Sequence, residues 1–216
     1  MKIGFWNVRG FNRPLKQNGV AHLVKNNELC LLGILETKLT APAIPKILHR
    51  SFRDGVTPTT LTPLPAGVCL LSGIRQLLIF SPRIFHHKLF TVGRGMWEKL
   101  LDVGQPLTLP WLILGDFNCV KSTTEKQLGV VPTWYELKDF NDCCLSLGLT
   151  DAPTTGCYYT WYSNSDSNPV WCKLDRVLLN NEWLEAGLQC SAHFNPPGCL
   201  SDHSRVLSLF FITPRP

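Results

Sequence analysis

Short apolar runs that stop abruptly at polar residues alternate along this chain with stretches whose apolar positions recur at helical spacing. Ile3-Gly4-Phe5-Trp6 stops at Asn7, the run from Leu29 to Leu35 stops at Glu36, and Trp111-Leu112-Ile113-Leu114 turns at Gly115 into Asp116, Phe117 and Asn118. Apolar runs of this length bounded by turn signals read as buried strands, and polar side chains at their ends are presented on a rigid support. Two further runs complete the set: Val170 to Leu179 carries Asp175 and Arg176, and a last run, about 204 to 212, follows Ser201-Asp202-His203. Between the first two strands, Arg13 through Glu28 reads as a helix. Pro14 suits a first helical position, and Leu15, Val20, Leu23 and Val24 give a partial apolar stripe. Later, Thr133-x-x-Glu136 after Pro132 has the form of a capping box. Trp134, Leu137, Phe140, Cys144 and Leu147 then share one face until Gly148 stops the helix.

The remaining stretches are weaker. Ala41 to Pro65, rich in Pro and Thr, reads as a loop around one short helix near Ile44 to His49. Gly67 to Leu71, Gln76 to Phe80 and His87 to Val92 are short strands, expected as a meander, and Gly95 to Leu101 is a short helix. Cys119 to Val131 reads as a polar loop, Cys157 to Tyr162 as a half-buried strand, Ser163 to Pro169 as a turn, and the surroundings of Trp183 as a short helix before a strand at 188 to 194. Strand runs in both halves, separated by helices, predict a mixed α/β (α+β) fold with two packed sheets and helices outside. Without an internal repeat or linker, residues 1–216 are expected to form one domain.

Composition narrows the class. A chain of 216 residues with 44% hydrophobic and 17% charged positions is globular, not disordered. A net charge of +5 and a pI near 8.7 suit a polyanionic partner, although no run of five like charges occurs. Nine cysteines, an odd number scattered along the chain with no secretory signal read before them, predict free thiols in a reducing compartment. No apolar run approaches a membrane span. Cys190-x2-His193 followed by Cys199-x3-His203 has near-zinc spacing. Against zinc, His203 adjoins Asp202, and Cys190 and His193 fall in an ordinary strand before a Pro-Pro loop.

Each polar strand end has a bland reading. Asp116 and Asn118 could make an Asx turn, Glu36 could pair with Lys38, Asp175 with Arg176, and Asp202-His203 could be a satisfied turn. Four strand ends bearing Asn7, Glu36, Asp116 with Asn118, and Asp202 with His203 point instead to one shared site. Taken in order, Trp6-Asn7-Val8-Arg9-Gly10, Leu35-Glu36-Thr37-Lys38, Gly115-Asp116-Phe117-Asn118, Leu174-Asp175-Arg176 and Ser201-Asp202-His203 resemble the endonuclease/exonuclease/phosphatase superfamily related to deoxyribonuclease I. Their wording is closest to the apurinic-type endonuclease domain of plant LINE-type (non-LTR) retrotransposons, and the resemblance spans about residue 2 to about residue 211.

That resemblance implies a four-layer α/β/β/α sandwich of two mainly antiparallel sheets and a divalent-metal-dependent DNA-nicking endonuclease. Carboxylates without thiolates suit a hard ion, Mg²⁺ or Mn²⁺. By resemblance Glu36 is the principal metal ligand, with Asn7 and Asp202 in the metal set. Asn7 and Asn118 bond the phosphate or ligand shell, Asp116 orients the attacking water, His203 stabilises the phosphorane or moves a proton with Asp202 holding its tautomer, and Asp175 supports the histidine or metal. Double-stranded DNA and a nuclear location are implied too. The middle departs from the family pattern: Phe90 to Gly95 has no Tyr or His for the scissile phosphate, and the segment is short, as if strands had been shortened by deletion. Losing one preorganised donor typically lowers rate by about 10² to 10³, and groups displaced by about 1 Å lose about a hundredfold, so reduced activity is expected. The superfamily also holds phosphatases and RNA deadenylases, and an inactive nucleic-acid-binding remnant is the alternative of a different class.

Overall fold

A parallel pair at the start of the chain sets the first layer. Strands β1 (Lys2–Asn7) and β2 (Leu31–Leu35) run side by side with Asn7 opposite Leu35. Parallel neighbours need a crossover, and helix α1 (Pro14–Asn27) supplies it. The computed structural model describes residues 2–29, 31–40, 42–43, 46–47, 57–58, 67–70, 76–80, 89–91, 95–198 and 200–212.

Further strands extend this layer: β3 (Thr57–Pro58), β4 (Gly67–Leu70), β10 (Thr154–Gly156), β14 (Leu188–Phe194) and β15 (Arg205–Ile212). The order is β10-β14-β15-β1-β2-β4-β3. This sheet is mixed: β15 runs antiparallel to both β1 and β14, while β2, β4 and β3 continue the parallel direction of β1. The second sheet, antiparallel throughout, has the order β6-β5-β7-β13-β9, built from β5 (Gln76–Phe80), β6 (Leu89–Thr91), β7 (Leu112–Asp116), β9 (Thr150–Asp151) and β13 (Asp175–Leu179). The expected meander is therefore not one: β4 pairs with β2 in the first sheet, while β5 and β6 join β7 in the second. Two of the shortest strands, β3 and β6, form sheet edges. Of the helix expected near Ile44 to His49, Lys46 and Ile47 are helical; most of the loop around it, His86-His87 and residues 92–94 lie outside the described residues.

Three apolar clusters show the layering. Ile3, Phe5, Leu35, Leu112, Leu114, Val177, Leu179 and Phe194 fill the space between the sheets. The alternate positions Trp6, Val8, Leu32 and Ile34 face α1 through Val20, Leu23 and Val24. On the other side Trp111, Ile113 and Leu178 pack against Met96 and Leu100 of α2 (Met96–Gly104) and Phe140, Cys143 and Cys144 of α3 (Trp134–Ser146). Strands covered on both faces explain why the sequence shows continuous apolar runs and not alternation. The capping box forms as expected, Thr133 Oγ1 accepting from the Glu136 N–H and Glu136 Oε2 from the Thr133 N–H.

Two stripe positions leave the core. Leu15 is 68% exposed and Trp134 71% exposed, while Gln17, which no apolar pattern would select, is buried and donates to the Phe11 carbonyl at 3.0 Å. Both residues sit in first turns, where helical spacing sets the face but not whether a neighbour covers it. The expected polar loop after Asn118 and the strand at 157 to 162 resolve into a third small sheet, β11 (Trp161–Tyr162), β12 (Trp171–Cys172) and β8 (Lys126–Gln127). A short helix α4 (Asn181–Glu185) carries the buried Trp183.

Candidate active site

Asn7 is the last residue of β1, and the backbones that follow β1 and β2 stay bonded to each other. Val8 N–H donates to the Leu35 carbonyl (3.2 Å), Gly10 N–H to Glu36 (2.7 Å) and Phe11 N–H to Thr37 (2.7 Å). Glu36 itself takes a left-handed φ of 48°, a conformation L-residues adopt sparingly and often at functional sites. On the second sheet, Asp116 ends β7 and Asp175 opens β13, and the antiparallel register sets them directly opposite each other. The 201–204 segment is tied to the first sheet directly and to the second through Thr160: Ser201 Oγ donates to the Asn7 carbonyl at 2.6 Å, Ser204 N–H donates to the Thr160 carbonyl at 2.7 Å, and Thr160 Oγ1 accepts from the Asp175 N–H at 2.8 Å. His203 thereby arrives between the sheets' ends.

The side chains meet at one amide. Asn7 Nδ2 lies 3.1 Å from Glu36 Oε1, 3.0 Å from Asp116 Oδ2 and 3.5 Å from His203 Nε2. Its Oδ1 accepts from the Arg9 N–H at 3.1 Å, which fixes the NH₂ edge toward the carboxylates. His203 Nδ1 lies 3.0 Å from Asp175 Oδ2, and its Nε2 is 3.8 Å from Asp116 Oδ2. Asp116 also accepts the Asn118 N–H at 2.9 Å, so the Asx turn of the bland reading is present and sits inside the site.

Burial shapes the proton affinities here. Asp116 is pushed up to about 7, first by desolvation and next by the Asp175 charge, against His203 and the amide donors, which favour its ionised form. For His203, burial opposes the charge, but Asp175, Asp116 and Asp202 outweigh it and raise the imidazole to about 9. Near neutral pH His203 is accordingly a cation whose Nδ1–H is given to Asp175 and whose Nε2–H faces Asp116.

The structure places Asp175 against His203, as the expected supporting role has it, but the tautomer-holding role expected of Asp202 falls to Asp175 as well. Asp202 lies at a bend between Ser201 and His203 and has other partners; its Oδ2 accepts from the Trp161 indole N–H at 3.0 Å and from Arg9 Nη1. Glu36 and Asn7 of the implied metal set are in contact, whereas the described contacts join Asp202 to Glu36 only through the Arg9 guanidinium, whose Nε is 3.8 Å from Glu36 Oε2. Glu36 is not paired with Lys38, and Asp175 is not paired with Arg176. Arg176, fully buried, bonds Glu125 and Asp151.

Asp116, Asp175 and His203 each bring one potential ligand atom within 4.8 Å of the others. Glu36, whose Oε1 is 3.1 Å from Asn7 Nδ2, adds a further carboxylate beside this cluster. The donor set fits a hard cation and a phosphate: oxygen ligands, no thiolate, and two buried polar atoms without a hydrogen-bond partner, the acceptor Asp175 Oδ1 and the donor Asn118 Nδ2. The zinc arrangement does not assemble. Cys190 lies in the inter-sheet core, His193 is exposed and bonds Thr155 at 3.0 Å, and Cys199 lies outside the described residues.

Trp161 and Arg9 were legible only as strand and motif neighbours, although a Trp that buries its ring commonly finds a partner for its N–H. Comparison with known proteins bears on what this geometry is for. The sequence model of the endonuclease/exonuclease/phosphatase family matches residues 4–203. The chain belongs to that family. Family members are typically divalent-metal-dependent hydrolases of phosphate esters, and the acidic cluster above is in keeping with that. Among solved structures, the fold is similar to the 3′ phosphatase NExo from Neisseria bound to a product DNA hairpin (17% identity, 98% of this chain and 99% of that one, TM-score 0.65). It is also similar to beta toxin from Staphylococcus aureus (13% identity, 97% and 99%, TM-score 0.57). No curated protein matches the chain.

Proposed function

We propose that this chain is a divalent-metal-dependent phosphodiester hydrolase of nucleic acid, a DNA-nicking endonuclease of the LINE-retrotransposon kind working at a reduced rate. One observation carries the reading: residues 29, 109 and 196 positions away from Asn7 all reach its single amide nitrogen. Such convergence of carboxylates, amide and imidazole is what in-line attack on a phosphate requires. Magnesium or manganese held at Glu36 with Asn7 beside it would offset charge on the phosphate. Asp116, with its proton affinity near neutrality, accepts the proton of the attacking water while Asn7 holds its Oδ2 in place. The water oxygen bonds to phosphorus as one ester P–O bond breaks. His203, kept protonated and aimed by Asp175, gives its Nε2–H to the ester oxygen that leaves. Asn118 adds an amide donor. Double-stranded DNA as partner and a nuclear location belong to the same proposal. The reduced rate rests on Phe90 to Gly95, which offers no Tyr or His donor.

Supercoiled plasmid tests it: nicking with Mg²⁺ or Mn²⁺, abolished by chelator and by Glu36→Gln, is the expected result. Nicking unaffected by Glu36→Gln would overturn it. A second reading, phosphomonoester hydrolysis, is favoured by the likeness to a 3′ phosphatase bound to a DNA hairpin. Release of phosphate from a 3′-phosphorylated hairpin without plasmid nicking would select it.

A further inference from the structure

Arg9 has an unusual setting for a surface cation. It is a non-glycine residue at φ 45°, in the left-handed region that L side chains enter against strain. Its peptide is held from two sides: the N–H by Asn7 Oδ1, and the carbonyl by Lys16 Nζ at 3.3 Å. Its guanidinium is held as well. Nη1 bonds Asp202, whose carboxylate is itself pinned by the Trp161 indole, and Nε faces Glu36. Half of the side chain is exposed. It stands on the rim of a cavity of about 530 Å³ lined by Arg13, Lys16, Tyr162, Ser201 and Asp202.

Three things follow from this arrangement. The guanidinium is one carboxylate away from the catalytic amide, since Glu36 touches both. A planar guanidinium carries five N–H donors, and Asp202 occupies one nitrogen, so donors remain for a second anion. Among the described residues the cavity offers only one carboxylate, Asp202, against Arg9, Arg13 and Lys16, and repulsion by Arg13, Lys38 and Arg9 adds to desolvation in lowering the Lys16 proton affinity. An anion beside Arg9 would relieve that crowding.

We propose that Arg9 is a catalytic residue that donates to the non-bridging oxygens of the scissile phosphate, and that Asp202 is its positioning residue. Arg9 then takes over part of the donor role that Phe90 to Gly95 does not fill. The proposal rests on the phosphoester-hydrolase reading above. It adds no covalent step: the water–phosphorus bond forms and the ester bond breaks as before, and Arg9 keeps its protons throughout.

The test uses the full chain, bis(p-nitrophenyl) phosphate with Mn²⁺, and inorganic phosphate as a ligand. Arg9→Ala is expected to lower kcat by about 10² to 10³, in line with loss of one preorganised donor, and added methylguanidinium is expected to restore part of it. Asp202→Asn should lower kcat in the parent and have no further effect in Arg9→Ala, a non-additivity that marks one unit. An effect on KM alone, no rescue, or fully additive variants would overturn the proposal. Phosphate titration followed by ³¹P NMR separates the two levels. If the parent hydrolyses no phosphoester, the functional reading fails by itself; at least tenfold weaker phosphate binding in Arg9→Ala then upholds the Arg9 site, and unchanged binding overturns it.

Discussion

Asp175→Asn isolates the group that holds the catalytic imidazole. The replacement keeps the side-chain shape, and the backbone at 175 stays anchored because its N–H donates to Thr160 Oγ1 at 2.8 Å and β13 pairs with β7. What is lost is the charge 3.0 Å from His203 Nδ1. The imidazole is raised from 6.5 to about 9 against a burial effect that lowers it, and Asp175 is the largest of the raising influences. That elevation amounts to about 3 kcal/mol at 1.36 kcal/mol per unit. The sign follows: a raised histidine stabilises the fold fully below about 6.5, and this contribution is lost as pH climbs through about 9. In chelator, the parent should therefore lose stability between those pH values while Asp175→Asn stays flat there. The direct assay is an NMR titration of the imidazole Cε1–H, with His203→Ala identifying the resonance among six histidines. Asp175→Asn should bring the midpoint to the ordinary value or below and reduce nicking by about 10² to 10⁴, the range typical of general acid–base groups. Asp202→Asn should move the midpoint far less. A midpoint unchanged in Asp175→Asn, with the larger fall in Asp202→Asn, would refute the assignment.

Glu36→Gln should abolish divalent-cation-dependent hydrolysis while lowering stability in urea unfolding by no more than about 1.5 kcal/mol, because glutamine keeps a side-chain oxygen to accept from Asn7. Arg176→Met removes the buried guanidinium shared by Glu125 and Asp151, leaving them only Lys173 and Lys121 among the described residues, and should cost about 3–5 kcal/mol in urea unfolding; a loss under about 1 kcal/mol would show that the network is not what holds this region. For Asp151, burial opposes ionisation, but Arg176, Lys121 and Lys173 draw its carboxyl down to about 2. Its contribution is present above about 4 and disappears as pH falls from about 4 to about 2, worth about 2 kcal/mol, and Lys121→Met should shrink that acid-side slope.

The positions of the site residues were legible because each stands where an apolar run ends, and the ends of Ile3–Asn7, Leu112–Asp116 and 205–212 are set by hydrophobicity alone. Their partners were not. Support of His203 by Asp175 was expected from the resemblance alone, because it depends on Asp175 lying opposite Asp116, a register formed between segments far apart in sequence, whereas adjacency suggested Asp202 for the tautomer. The Arg176 network joins residues up to 51 positions apart, and nothing in Leu174-Asp175-Arg176 says that consecutive residues serve opposite faces of a sheet. Leu15 and Trp134 fit a helical stripe but stay exposed, Trp134 with only the Lys138 ammonium over its ring among the described contacts. The division of Gly67–Leu70 and Gln76–Phe80 between two sheets is likewise a matter of which edge lay open, not of local preference.

Asp175 and Arg176 occupy consecutive rungs of β13, one serving the reacting cluster and the other the buried ion network on the far side. Sliding β13 by a single residue would swap them, driving a guanidinium among the catalytic groups and an unpaired carboxylate against Glu125. The ion network thus acts as an alignment key for the ladder that sets the chemistry, and misthreaded chains are penalised before any substrate arrives.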